Sequence, residues 1–559
     1  MIKVAREGKV LGDFEPSQVV DGLKSGELRY SDHFWQPGSV QWMPLALFSL
    51  PKVKKLKVVS RSDVKPTSEQ EFICQNLPRN GQIMLINAYA GSGKTETLRL
   101  ISERYPEIKF TYLCYNKDTA EKAKRKFPSN VKCKTIHSLA YAAVGRFYKQ
   151  DYRMPSSREV MQKFGIKKPY LAVLALETID KYCNSEDNVI SDNHIGEDEQ
   201  HRALILNKYP DLVGIAQTIW DEMIDRESPT PISHDGYLKL WSLGSPHVSG
   251  DVILHDESQD MNPVTMRILR EQAKHGNPGL VIVGDSHQAI YGWRGAINSM
   301  EMLRPLATYE RSLTASFRFG QKIANKAATV LKNLKNDQTS IIGLGPTTGL
   351  LPEKAYIGRR NSSLIAMAIE RMKVLPESKF HFAGTRLEAN WDPYYLYEFQ
   401  KPLDLLNLKN GRPDLVEMEQ MKKFESYDEV VALISGDDEG DGIDRELEWF
   451  IKNLIEPYGD ELPELIKGLR TRSVSPDAAE MSFSTAHRSK GLEWREVEMI
   501  DDFWMPREVT ELTPLSDEEI EEVNAIYVAM TRASELITYG VSLSEWLDKV
   551  ESADNERKG

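Results

Sequence analysis

Long apolar runs are missing from this chain. No stretch approaches the roughly 20 consecutive apolar residues that a membrane-spanning helix needs. The opening Met1-Ile2-Lys3-Val4-Ala5-Arg6 lacks the apolar core of a secretory signal. Cysteine is scarce. Cys74, Cys114, Cys133 and Cys183 are scattered without the paired spacing of a metal site, which points to small buried hydrophobes in a reducing, cytoplasmic setting. Internal repeats and long low-complexity tracts are absent too, and 41% hydrophobic with 28% charged residues is an ordinary globular balance. Positive charge is in deficit, with 71 Lys and Arg against 83 Asp and Glu and a formal net charge of −12. On average that argues against a polyanionic partner, which needs local positive potential. Basic residues nevertheless cluster at Lys52, Lys54, Lys55, Lys57, Arg61 and Lys65, and again from Lys117 through Lys134. Each cluster alone reads as a solvated face or a linker, so charge leaves the partner open.

What is present is more specific. At 559 residues the chain is expected to form several domains. Ala88-Tyr89-Ala90-Gly91-Ser92-Gly93-Lys94-Thr95 follows an apolar run at 83–86 and precedes a helical pattern over 96–103. Small residues let the backbone curl so that successive N–H groups face a phosphate at a helix N-terminus. Lys94 then reaches the outer phosphates and the Thr95 hydroxyl sits on Mg2+, which makes this a nucleotide-binding P-loop. Ala88 stands where the strict pattern has Gly. Further on, the apolar run 252–255 ends in Asp256-Glu257-Ser258-Gln259-Asp260. One carboxylate of such a pair holds the metal ion, and its neighbour orients or deprotonates the attacking water. The next apolar run, 280–283, leads to Gln288, placed to sense a γ-phosphate, and then to Tyr291, Trp293 and Arg294, flat faces and a cation suited to unpaired bases.

From residue 66 onward apolar strands alternate with helical segments, the signature of an α/β fold with parallel sheets. Strands are expected at 110–115, 252–255 and 280–283, and in a second set at 355–358, 380–382, 480–484 and 497–500. Mainly helical insertions are expected near 144–232 and 388–478.

The ordered set of segments resembles the superfamily 1 DNA helicases of the UvrD/Rep type, and within them the F-box DNA helicase branch, here without an F-box. The set runs Thr67-Ser68-Glu69-Gln70, the P-loop, Tyr115-Asn116-Lys117, Thr135-Ile136-His137-Ser138 and His234-Asp235-Gly236-Tyr237-Leu238-Lys239. It continues through the Asp256 and Gln288 boxes to Ser316-Phe317-Arg318, Ser484 through Glu493, and Tyr527 through Ala533. The resemblance covers about 66–540. It implies two RecA-like P-loop NTPase cores, one from 67–143 with 233–312 and one from 313–387 with 479–545. Helical insertions occupy 144–232 and a reduced 388–478, and 546–559 is a tail.

The resemblance also implies roles. Gln70 reads adenine while Phe317 stacks on it, and Ala90, Gly91, Ser92, Gly93, Lys94, Thr95 and Glu96 hold the phosphates of ATP. Thr95 and Asp256 bind Mg2+, Glu257 is the base, and Arg318 and Arg532 act as arginine fingers from the second core. Glu493 contacts the ribose. For single-stranded DNA it implicates Tyr115, Asn116, His137, Tyr291, Trp293 and Arg294. His137 is equally readable as bonding a nearby backbone group, and Tyr237 and Lys239 as loop packing. The expected activity is an ATP-dependent helicase or translocase, 3′→5′ by resemblance, in repair, recombination or replication. The rival readings are a DNA-stimulated ATPase that strips proteins with little unwinding, and a catalytically silent nucleic-acid-binding scaffold. Residues 1–50, from Gly12-Asp13-Phe14 through Trp35-Gln36-Pro37-Gly38 to Trp42-Met43-Pro44, resemble a small α+β GYF-like domain that docks a protein partner, with Trp35 and Trp42 as candidate core. A linker over 51–66 follows it.

Overall fold

In the computed structural model the described residues are 2–6, 8–15, 18–19, 22, 27–28, 32–35 and 42–45 near the N-terminus, and 65–556 apart from 115, 197–198, 275–277, 291, 293–298, 347–352, 385–396, 423, 436–441 and 506–514. A small unit is built on the first 63 residues, and nearly all the rest forms a large one. In the small unit β1 (Ile2–Arg6), β2 (Lys9–Phe14), β3 (His33–Trp35) and β4 (Met43–Pro44) form an antiparallel sheet in the order β2-β1-β3-β4. Its core is Ile2, Val4, Val19, Leu28, Phe34 and Leu45. The expected tryptophan core is therefore corrected. Side chains alternate along a strand, so burying Phe34 turns Trp35 toward the other face, and Trp42 is 40% exposed. Gln18, Val19 and Gly22 are helical.

The large unit carries two parallel sheets. The first joins β5 (Ile83–Ala88), β6 (Phe110–Cys114), β7 (Val131–Thr135), β8 (Val252–His255), β9 (Gly279–Gly284) and β10 (Tyr309–Leu313) in the order β10-β5-β9-β8-β6-β7. Helices cover its faces, so the four inner strands are buried nearly throughout and are mostly apolar along their length. After β10 the chain makes the short pair β11 (Ala315–Ser316) and β12 (Ile342–Gly343). The second sheet joins β13 (Lys354–Gly358), β14 (Phe380–Phe382), β15 (Met481–Thr485), β16 (Trp494–Met499) and β17 (Ala533–Thr538) in the order β14-β15-β13-β16-β17. These are two RecA-like cores.

The segment between 144 and 232 is helical, with the helices Ser157–Phe164, Pro169–Asn184, Glu199–Lys208 and Leu212–Ile224 packed around Ile179, Trp220 and Met223. The helices Gln400–Lys409, Tyr427–Ser435, Gly442–Phe450 and Leu462–Arg472 follow, and their core is continuous with Phe380, Phe382 and Phe483 of the second sheet. One apolar cluster spans both cores, joining Tyr89, Ala90 and Ile290 to Phe319, Ile323, Ala355 and Tyr527. The cores thus meet at the P-loop. All four cysteines are buried and free. Among the described residues no helix is long and apolar enough to cross a membrane.

Candidate nucleotide site and nucleic-acid surface

The P-loop connects β5 to the helix Lys94–Arg104, and its glycines are required by geometry. Gly91 (φ +74°) and Gly93 (φ +81°) adopt left-handed backbone that side chains disfavour. A Cβ on Gly91 would lie 2.5 Å from Arg318 Cβ and 2.5 Å from Ser316 Oγ. One on Gly93 would lie 3.2 Å from Gln70 Nε2 and 3.8 Å from Phe317 Cδ2. The loop, Gln70, Phe317 and Arg318 therefore converge. The Phe317 N–H donates to Gly91 O at 2.9 Å, so the start of the second core is bonded to the loop itself.

The carboxylate pair stands at the end of β8. Asp256 is buried, and its Oδ2 accepts from the Thr95 hydroxyl at 2.7 Å and from Tyr112 at 2.8 Å. Burial and the neighbouring Glu257 push its carboxyl up. Glu257 has φ +53°, uncommon for a residue with a side chain, and its Oε2 lies 3.5 Å from Lys94 Nζ and 2.8 Å from Gln259 Nε2. Burial works against the Glu257 carboxylate, but Lys94 and Lys490 outweigh it and hold the group well below the usual range. Asp256 and Glu257 thus sit in different surroundings, Asp256 bonded to the Thr95 and Tyr112 hydroxyls and Glu257 beside Lys94 and Gln259.

The opposite wall is cationic. Arg318 is bound by Glu493 (Nε–Oε1 2.9 Å) and by Thr531 O, while Arg532 is 1% exposed and its Nη2 lies 3.4 Å from Gln288 Oε1. Burial and then the nearby Arg318 push Arg532 down to about 9. Glu493 pairs with Arg318, while Arg532 bonds to Val528 O, Gln288 and Thr531 rather than to a carboxylate. In the P-loop, Ser92 Oγ is buried without a partner among the described residues. An orphaned donor in a phosphate-type loop, two buried or half-buried arginines across from it and a desolvated Asp256 bonded to Thr95 together fit a nucleotide with a divalent cation.

An AAA domain family model matches residues 71–294, and a model of the UvrD-like helicase C-terminal domain matches residues 394–542. The chain belongs to the UvrD-like superfamily 1 helicases. F-box DNA helicase 1 of Gallus gallus is 31% identical over 526 residues, covering 87% of this chain and 50% of that protein. F-box DNA helicase protein 1 of Schizosaccharomyces pombe is 28% identical over 517 residues, 84% of this chain and 56% of the relative. The RecBCD enzyme subunit RecB of Mycobacterium tuberculosis is 27% identical over 135 residues, 24% of this chain and 12% of RecB. The chain spans about half the length of the first two relatives.

Several residues that the resemblance singles out also make contacts within the protein. Gln70 closes a capping box with Thr67 and donates to Thr97 Oγ1 at 3.0 Å. The Ala90 N–H is taken by the Tyr527 hydroxyl at 3.0 Å. Glu96 is exposed and paired with Arg99, and Glu493 holds Arg318. Asn116 Oδ1 caps the helix Lys117–Lys124. His137 Nε2 lies 3.0 Å from Asp235 Oδ1, a carboxylate and not a backbone group. Tyr237 and Lys239 are buried, and the Lys239 ammonium sits 4.2 Å from the Tyr182 ring and donates to Ser185 O, so both are packing residues. Tyr115, Tyr291, Trp293 and Arg294 lie outside the described residues.

The motif reading did not single out Tyr112, Asp260 and Lys490 as site residues. Lys490 Nζ joins Asp260 (2.6 Å) to Gln288 O (2.7 Å), a tie between the second core and the sensor segment of the first. A lone lysine beside Gly491 and Glu493 is the signal that sequence offers for it.

Proposed function

We propose that the chain is an ATP- and Mg2+-dependent motor on single-stranded DNA, moving 3′→5′. The observation that carries this is the nucleotide cleft: Arg318 and Arg532 come from the second core, while Lys94, Thr95, Asp256 and Gln288 come from the first. Hydrolysis then requires both cores, so each turnover is tied to their relative motion. Thr95 and Asp256 would hold Mg2+, which neutralises phosphate charge. Lys94 binds the outer phosphates, Glu257 orients and deprotonates water, and the arginines stabilise charge that develops in the transition state.

The proposed division is 67–143 with 233–312 for the first core and 313–387 with 479–545 for the second, around insertions at 144–232 and 388–478. DNA crosses the surface that bears Asn116 and His137, with stacking supplied by Tyr115, Tyr291 and Trp293. The first 50 residues serve as a GYF-like docking module, and the pathway is repair, recombination or replication. Strand displacement on duplexes with a 3′ or a 5′ single-stranded tail tests the reading. Unwinding of the 3′-tailed substrate alone, lost in Lys94→Ala, is expected. Unwinding from a 5′ tail, or none with either tail, would contradict it.

A further inference from the structure

Asp337 belongs to the second core, just beyond the helix Gln321–Lys335, yet its carboxylate serves two motifs of the first. Its Oδ2 accepts from the hydroxyl of Tyr89, in the P-loop, at 2.5 Å and lies 2.8 Å from Nε2 of His287, next to the sensor Gln288. Its Oδ1 accepts from the Thr339 N–H at 2.9 Å, which fixes the carboxylate plane. The backbone is set for this. Asn336 turns left-handed (φ +53°), and the Asp337 N–H bonds back to Leu331 O. The rings close the cluster, with Tyr89 and His287 centroids 5.5 Å apart and His287 and Tyr527 5.8 Å apart. A second contact grips the same segment. Lys335 Nζ donates to Asn524 Oδ1 at 2.8 Å, and Asn524 Nδ2 donates to Ala289 O at 2.7 Å. Residues 287–289 are therefore held by two elements of the second core, Asp337 just beyond the helix Gln321–Lys335 and Asn524 on the helix Asp517–Met530, and Lys335 ties those two elements together. His287 Nδ1 is buried without a partner among the described residues, a cost that a residue kept only for packing has no reason to carry.

We propose that Asp337 is a positioning residue, a latch that couples closure of the two cores to the P-loop through Tyr89 and to the sensor through His287. It touches neither nucleotide nor reacting atoms in this account. Any motion of the helix Gln321–Lys335 is passed to both motifs at once, because both donors end on one oxygen atom.

The inference rests on the motor reading, and the test separates the two. Asp337→Asn keeps the volume but cannot offer an anionic acceptor to both donors. Stimulation of turnover by single-stranded DNA is expected to fall about tenfold, within the usual range of coupling between sites. The ATP KM and the melting temperature should stay near those of the unmodified chain. In the nucleotide-free protein, amide hydrogen exchange at residues 89–93 and 285–290 should quicken. Unchanged stimulation, or a loss matched by a lower melting temperature, would overturn the latch. If the unmodified chain is not stimulated by DNA, the motor reading fails, and exchange alone decides the latch: unchanged rates at both segments refute it. Should Asp337→Asn not fold, Tyr89→Phe removes one of the two bonds and must quicken exchange at 285–290.

Discussion

Glu257→Gln separates chemistry from binding. The Glu257 N–H donates to Asp256 Oδ1 at 2.9 Å, and the Asp260 N–H returns to Glu257 O, so the main chain fixes the left-handed turn independently of the side chain. Glutamine preserves length and volume and still offers an oxygen to Gln259. Stability should fall modestly, because Gln gives up the pull of Lys94 and Lys490 on the carboxylate, although the side chain is 42% exposed and solvent screens the pair. Nucleotide affinity should hold or tighten, since a negative charge beside Lys94 is removed. Turnover is different. A positioned general base contributes about 10²–10⁴ in rate, which corresponds to roughly 2.7–5.5 kcal/mol of barrier. Steady-state hydrolysis with saturating single-stranded DNA, paired with titration of a fluorescent ATP analogue, reads both quantities. A variant that binds the analogue normally but turns over at least about a hundredfold more slowly supports the assignment. Turnover near that of the unmodified chain would remove Glu257 as the base.

The other expectations test the DNA surface, the packing residues and the modular division. Trp293→Ala should weaken single-stranded DNA binding by about 1–3 kcal/mol, the worth of one stacked base, and lower DNA-stimulated hydrolysis; equal affinity in an anisotropy titration would make Trp293 a packing residue. Burial pushes the Lys239 ammonium down to about 8 from 10.5, so the folded chain sheds this proton first and its stability relative to Lys239→Met should rise from pH 8 toward 10. Urea unfolding of both proteins at pH 7.5 and 9.5 checks that sign, and weaker DNA binding by the variant would contradict the packing role. Deleting residues 1–60 should leave DNA-stimulated hydrolysis intact, and its loss in the purified protein would contradict a modular N-terminal unit.

Burial decided which elements could be read from sequence. The inner strands β5, β8 and β9 carry apolar residues on both faces and stand out as runs such as Val252-Ile253-Leu254-His255. The edge strands β7 (VKCKT) and β10 (YERSL) alternate charged and apolar residues because one face meets solvent, and no strand was expected there. β17, ASELIT, also lies at a sheet edge, and its mixed small, polar and apolar residues form no apolar run. Motif residues were legible because the nucleotide dictates their chemistry and spacing. Their partners in the resting molecule were not. Nothing local to Glu493 announces Arg318, which is distant in sequence within the same core, and nothing near Tyr89 announces Asp337, a contact that crosses from one core to the other. Trp35 misled because size suggests a core, whereas strand alternation gave the interior to Phe34.

The central claim is that nucleotide hydrolysis needs both cores and is governed by DNA. ATP hydrolysis by the purified chain with Mg2+, measured with and without single-stranded DNA at low and moderate salt, tests it most directly. The account predicts strong stimulation by DNA that is abolished in Arg532→Ala, whose side chain comes from the second core. Robust hydrolysis that ignores DNA, or that survives loss of Arg532, would contradict it.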